Sequence, residues 1–286
     1  MQTITPEYLR PRLLQRKNDS HKGSYGHLLI VAGCETMPGA AVLATGAALK
    51  SGCGLVTLHS TPRALQAVAN NFPSAILSED GGKYLSTPPE DFGKYSAVAA
   101  GPGLGIKENP DLRFFEVLRR ARNEDLPMVL DADAITWLSQ IPERWSIIPE
   151  GSVLTPHLGE LRRLLGEDDE GALESKVKEL CKQTRSVLVW KGYRTRVFTP
   201  DGGCLQNTTG GPGLAKGGSG DVLTGLIGGL LARGYNAEDA AALGVWIHGY
   251  AGDMLTSNKT AEAFNSRDLI DELNCGFYIL YNDRHD

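Results

Sequence analysis

A glycine-rich turn that runs without interruption into an apolar helix constrains this chain more than any other feature. Residues 207–231 read NTTGGPGLAKGGSGDVLTGLIGGLL, with glycines crowded before and around one carboxylate, Asp221. From there Val222, Leu223, Leu226, Ile227, Leu230 and Leu231 carry the spacing of an apolar helical stripe. A helix starting here leaves the N–H groups of its first turn without intrahelical partners and points the positive end of its dipole at the loop. Gly217, Gly218, Ser219 and Gly220 are therefore the expected anion hole, suited to a phosphate. Asp221 fits two roles. A carboxylate in a first helical turn complements the dipole, and one beside a phosphate cradle stands where a phosphoryl-transfer enzyme needs a base. The run is not a Walker A loop, because Lys216 precedes the glycine pair. It is not a dinucleotide fingerprint either, since no clear strand leads into it.

Composition narrows the class. A chain of 286 residues with 41% hydrophobic and 22% charged residues can bury a large α/β core. A net charge of −5 excludes the basic footprint of nonspecific nucleic-acid binding. Cys34, Cys53, Cys181, Cys204 and Cys275 are scattered and odd in number, and read as reduced thiols of a cytoplasmic protein. The first residues hold no apolar signal region, and the longest apolar runs fall short of a membrane span.

Short apolar runs alternate with helical ones. Strands are expected over His27–Gly33, Gly54–His59, Ser96–Ala100, Pro127–Leu130, Ser152–Thr155 and Ser186–Trp190. Helices are expected over Pro38–Lys50, Pro62–Asn70, Asp111–Arg122, Pro156–Leu165, Gly171–Thr184, Ala237–Leu255 and Ser266–Asn274. Arg194–Thr199 and Cys204–Asn207 flank Pro200-Asp201-Gly202-Gly203 as a hairpin. The alternation predicts βαβ units, a mainly parallel sheet flanked by helices, and one domain over residues 1–286. Turns at Gly33, Gly101–Gly105, Asp131–Asp133, Thr155–His157 and Lys191-Gly192 close the strands. In such sheets ligands lie outside the carboxyl ends, so these turns should converge on one crevice with Asp221.

Other residues have both bland and chemical readings. His157 and Glu160 share a helix face three apart, as a cap with an N-terminal acid, or with Glu160 holding Mg²⁺ through water. Lys191 follows a buried strand and either reaches solvent or serves the crevice. Asp131 and Asp133 are a metal pair or, more simply, caps of the next helix. His248 and Asp253, five apart on one helix, do not share a face and read as core or surface residues. The run Glu167–Glu170 reads as a solvated loop.

In order, HKGSYG (21–26), MPGAA (37–41), GPGLG (101–105), LDADA (130–134), TPHLGE (155–160), WKG (190–192) and the 207–223 run resemble the ADP-dependent NAD(P)H-hydrate dehydratases of the ribokinase-like superfamily. The resemblance covers about residues 21–266 and implies a three-layer ribokinase-like sandwich. It implies that Gly220 contacts a nucleotide phosphate and that Asp221 reaches the substrate hydroxyl. Lys191, Gly192, Tyr193, Arg194 and Thr195 would contact the adenosine, and Ala40 or Ala41, Gly103 and His157 the hydrated dinucleotide. Glu160 falls where related kinases organise Mg²⁺. ADP as donor is implied by the resemblance alone, for residue physics does not separate it from ATP. The resemblance also implies a homo-oligomer, commonly a tetramer, and a separate epimerase for the hydrate. Leu158, Trp190, Gly211 and Ser219 depart from the commoner pattern, and Trp190 would alter nucleotide packing. Two other readings compete: a ribokinase-like kinase of a vitamin-precursor alcohol, and a catalytically idle nucleotide sensor. HKGSYG and TPHLGE argue against the kinase, and the sensor is expected to lack the base or the glycines, both of which are present.

Overall fold

The computed structural model describes residues 1–105 and 112–282. Their ten strands are β1 (Gln2–Ile4), β2 (His27–Val31), β3 (Leu55–Ser60), β4 (Ile76–Glu79), β5 (Ala97–Ala100), β6 (Met128–Leu130), β7 (Val153–Leu154), β8 (Val187–Trp190), β9 (Arg196–Phe198) and β10 (Cys204–Asn207). They form one sheet in the order β1-β10-β9-β8-β7-β6-β5-β2-β3-β4, parallel throughout except for β9, which is antiparallel to both neighbours. The expected hairpin is the β9–β10 pair, with Phe198 opposite Cys204.

The helices are α1 (Pro6–Leu9), α2 (Pro38–Lys50), α3 (Pro62–Asn71), α4 (Leu112–Asn123), α5 (Asp133–Leu138), α6 (Arg144–Ile147), α7 (Leu158–Leu165), α8 (Glu170–Thr184), α9 (Ser219–Ala232), α10 (Ala237–Asn258) and α11 (Ser266–Asn282). Strand residues alternate between two cores, as the two-residue period requires. Leu28, Ile30, Ala97, Ala99 and Val129 face α2, α3, α9, α10 and α11, whereas Leu29, Val31, Val98, Ala100 and Leu130 face α4, α5, α7 and α8. Helices, sheet and helices make three layers.

Several boundaries differ from expectation for local reasons. Helix α7 starts at Leu158, because His157 is its cap and Pro156 lies before it. Asp169 caps α8 by accepting the Ala172 N–H at 2.9 Å, so the acidic run before that helix has a structural role. Of the expected helix 111–122, Asp111 lies outside the described residues, and α10 and α11 run on to Asn258 and Asn282. All five cysteines are free thiols.

Helix α9 is hemmed in on two sides. It crosses α2 so closely that a Cβ added to Gly225 would lie 1.9 Å from the Ala44 carbonyl oxygen. Only glycine permits that approach. In an ordinary helix Gly→Ala is stabilising by about 1 kcal/mol. Here Gly225→Ala is expected to destabilise by about 1–3 kcal/mol, since two packed helices must separate. Urea unfolding checks this, and an unchanged or higher midpoint would contradict the packing.

Candidate active site

The chain passes outward from β2 to β3 and β4, then returns to the other side of β2 as β5. Between β2 and β5 the strand order reverses, which opens a crevice at their carboxyl ends. The turns beyond the strands are laced together there. Gly33 donates to the Pro102 carbonyl at 2.8 Å, Asp131 to Ala100 at 3.2 Å, Thr155 to Leu130 at 3.0 Å and Lys191 to Pro156 at 2.9 Å. The expected convergence is what the structure shows.

Helix α9 delivers its N-terminus to this rim. Gly218 precedes the first helical residue with φ +88°, and a Cβ on it would also meet the Leu43 side chain at 2.3 Å. Of the four residues expected to form the anion hole, Ser219 does not offer its N–H freely, for it donates to the Lys216 carbonyl at 3.3 Å. Lys216 is itself tied down, its ammonium donating to the carbonyls of Ala261 and Phe264. Ser266 Oγ donates to the Gly217 carbonyl at 2.7 Å.

Helix α10 braces the loop from behind. His248 Nε2 lies 3.0 Å from the Ser219 carbonyl oxygen and 3.2 Å from Ser219 Oγ. Burial pushes the imidazole down to about 4, so near neutrality it is uncharged and its Nε2–H donates to the carbonyl. Asp253 accepts the Gly210 N–H at 2.9 Å. The two residues indeed point apart, but they reach opposite ends of one glycine loop. Sequence reasoning assigned neither to the site; a histidine inside an otherwise apolar helix was the available signal.

Lys191 does more than a strand-end lysine reaching solvent would. Its ammonium donates to Asp131 Oδ1 at 2.6 Å, and a Cβ on Gly220 would lie 3.2 Å from that nitrogen. The side chain therefore turns toward the start of α9 at the cavity wall and does not simply run out to solvent. Burial alone would lower its pKa, but Asp131, Glu160 and Asp221 outweigh that and hold it above the ordinary value. Asp131 is not a helix cap: Ala132 occupies the cap position, and Asp131 is committed to Lys191 and to Thr224 Oγ1, 2.7 Å away. Asp133 accepts the Gly105 N–H at 2.8 Å.

Asp221 is held among these charges. Burial chiefly, with the like charge of Asp131, pushes its carboxyl up to about 6 against the opposing pull of Lys191. His157 and Glu160 perform both bland roles at once: His157 Nδ1 accepts the Gly159 N–H at 3.0 Å, and Glu160 Oε2 accepts the His157 N–H at 2.9 Å. His157 still lines the cavity, and Glu160, buried, faces Lys191.

A cavity of about 660 Å³ opens beside the α9 N-terminus. Lys191, Gly192, Tyr193, Thr195, Ser219 and Gly220 line it, with His157 and His248. Arg194 does not; its guanidinium reaches the Thr208 carbonyl. Nor does Trp190, which is buried against Phe198 with the Arg196 guanidinium over its ring. The start of α2 meets the turn after β5: a Cβ on Gly103 would lie 2.7 Å from Ala40 Cβ. Ala41 is wholly buried in the core, so of the two alanines only Ala40 faces outward.

An anion-seeking helix end, a neighbouring lysine and a buried carboxylate at the carboxyl ends of a parallel sheet make the site of a nucleotide-using α/β enzyme. The architecture is shared with a ribokinase-like superfamily protein from Enterococcus faecalis, 26% identical with a TM-score of 0.81 over 98% of this chain and 96% of that one. A family model for NAD(P)H-hydrate dehydratase matches residues 28–274. The ADP-dependent (S)-NAD(P)H-hydrate dehydratase of Bacillus subtilis is 35% identical over 273 residues, 94% of this chain and 95% of that protein. The structure of the ADP/ATP-dependent NAD(P)H-hydrate dehydratase from Bacillus subtilis, co-crystallised with ATP/Mg²⁺, matches with a TM-score of 0.85 and 32% identity over 98% of both chains. The chain belongs to the NAD(P)H-hydrate dehydratase family. It spans about half the length of the bifunctional NAD(P)H-hydrate repair enzymes that it also matches, 54% of the one from Moorella thermoacetica.

The environment of Asp221 has a consequence for stability. Its carboxyl ionises at about 6 when folded and near 4 when unfolded. The protonated form thus stabilises the fold at low pH, and that contribution is lost as pH rises through about 6. Asp221→Asn removes the loss. The variant is expected to exceed the parent in stability by on the order of 2 kcal/mol at pH 7.5. That advantage should shrink toward zero by about pH 4. Thermal melts across pH test it, and a difference that ignores pH would contradict the charge-crowded site.

Proposed function

We propose that this protein restores NAD(P)H from its (S)-hydrate, consuming ADP and releasing AMP and phosphate. The observation that carries the reading is Asp221 itself: a buried carboxylate with its pKa raised to about 6, one residue beyond Gly220 at an anion-accepting helix end. Raised toward neutrality, it is a better proton acceptor than an ordinary carboxylate and is still ionised at pH 7.

The hydrate carries a hydroxyl at C6, next to the ring nitrogen. Hydroxide leaves poorly and phosphate leaves well. In our reading Asp221 takes the hydroxyl proton as that oxygen attacks the terminal phosphorus of the nucleotide. The new O–P bond forms as the bond to AMP breaks. The backbone N–H groups at the start of α9 and the Lys191 ammonium stabilise the phosphoryl oxygens. The ring nitrogen lone pair then expels phosphate from C6, and loss of a proton from C5 restores the dihydropyridine. The cavity lined by Tyr193 and Thr195 holds the nucleoside, and the Ala40–Gly103 side takes the dinucleotide.

Among the described residues no three His, Cys, Asp or Glu side chains stand together as a metal cage. Glu160, at the crevice, fits a contact through water with an ion that the phosphates hold in the main. Mg²⁺ bound in that way would neutralise charge on the transferring group. The free thiols suit a reducing compartment such as the cytoplasm. A separate epimerase would supply the (S)-hydrate from its epimer.

Absorbance at 340 nm with NADHX, Mg²⁺ and ADP or ATP tests the reading. A nucleotide-dependent rise is expected, with kcat/KM increasing with pH through about 6 as Asp221 ionises. Asp221→Asn should lose roughly 10²–10⁴-fold in turnover. Phosphorylation of an unrelated small alcohol with no rise at 340 nm would make the protein a kinase instead.

A further inference from the structure

Asp131 is 1% exposed, yet it holds a charge beside the reacting groups without lining the cavity. Its two oxygens are fully engaged. Oδ1 accepts from the Lys191 ammonium at 2.6 Å, and Oδ2 accepts from Thr224 Oγ1 at 2.7 Å. Thr224 is wholly buried and sits three residues past Asp221 on α9, which places both on one face of that helix. A Cβ on Gly220 would lie 3.2 Å from Lys191 Nζ and 3.5 Å from Asp131 Oδ2. So three elements, the ends of β6 and β8 and the first turns of α9, are joined through one carboxylate directly against the anion loop.

Physical chemistry gives this arrangement a purpose. A helix N-terminus repels a cation, so a lysine left alone beside it would swing away when no phosphate is present. A buried carboxylate on its far side offsets that repulsion and fixes the ammonium where phosphoryl oxygens will arrive. We propose that Asp131, oriented by Thr224, is a positioning residue for phosphoryl transfer: it clamps Lys191 over the anion loop and maintains the charge balance around Asp221. The inference rests on the dehydratase reading and deepens it.

The groups facing Asp221 make the second half testable. Asp131 and Asp133 carry like charge, Lys191 opposes them, and Glu160 faces Lys191 from α7; His248, near Lys191 on α10, is uncharged near neutrality. Removing the Asp131 charge therefore takes away a like-charge neighbour while Lys191 stays cationic, which makes Asp221 easier to ionise.

The experiment compares pH profiles of kcat/KM for the hydrate in the parent, Asp131→Asn, Thr224→Val and Thr224→Ser. Asp131→Asn is expected to move the acidic limb down by about one pH unit and to lower kcat at pH 7.5 roughly tenfold, as the ammonium loosens and the base weakens. Thr224→Val should lose kcat several-fold with the KM for the hydrate little changed, and Thr224→Ser, which keeps the hydroxyl, should recover most of it. If Asp131→Asn does not fold, the Thr224 pair decides the matter: equal loss in Val and Ser, or loss in neither, overturns the clamp. An Asp131→Asn enzyme that folds but keeps the parental limb also overturns it. Asp221→Asn separates the two levels. If that variant is inactive while Asp131→Asn behaves as the parent, the clamp fails and the dehydratase reading stands; if Asp221→Asn turns over normally, the base assignment beneath both has failed.

Discussion

The site depends on how closely one helix can approach its neighbours. With a side chain at position 225, α9 could not lie against the Ala44 carbonyl, and its N-terminus would stand back from the strand ends. The same closeness puts the first turn of α9 beside Asp131 and Lys191, which come from strands on the far side of the chain reversal. Gly217, Gly218 and Gly220 thus lie at the anion-accepting end, while Gly225, Gly228 and Gly229 serve the packing that brings that end into place. A run that reads as one motif performs two physical tasks.

Charge around the loop is arranged in opposition. The helix end and Lys191 attract a phosphate, while Asp131, Asp133 and burial resist the ionisation of Asp221. A carboxylate left in water would be too weak a base and, fully charged, would repel the nucleotide. One held near neutrality can be charged or neutral at little cost, which suits a group that must accept a proton and then release it. Helix α10 adds rigidity through the neutral His248 and the Gly210–Asp253 bond. The proposed use of a nucleotide to turn the hydroxyl into a leaving group asks for such a combination: an anion site and a carboxylate titrating at about 6 within one helical turn.

Much of this was legible in the sequence. Hydrophobic periodicity located the central strands and α2, whose first residue is the expected Pro38, because buried parallel strands and amphipathic helices leave strong local patterns. It failed where stability comes from distant partners. β1 is three residues long and pairs with β10 some two hundred positions away, while β4 is an edge strand whose Ile76 and Leu77 stay exposed. At the site, motif order and spacing singled out Asp221 and the loop but could not resolve direction. Whether Lys191 turns toward solvent or toward Gly220, whether Ala40 or Ala41 faces outward, and whether Trp190 touches the cavity depend on side-chain orientation across strands. Spacing alone says only that His248 and Asp253 do not share a face; that His248 meets Ser219 depends on how α10 packs against α9.

The central claim is that the C6 oxygen of the hydrate is phosphorylated before it leaves. Hydrate labelled with ¹⁸O at that hydroxyl, turned over with ADP and Mg²⁺ in unlabelled water, tests it directly. The account predicts that the label appears in inorganic phosphate, one atom for each NADH formed. Label released as water, with unlabelled phosphate, would mean that nucleotide hydrolysis and dehydration proceed separately and would contradict the mechanism.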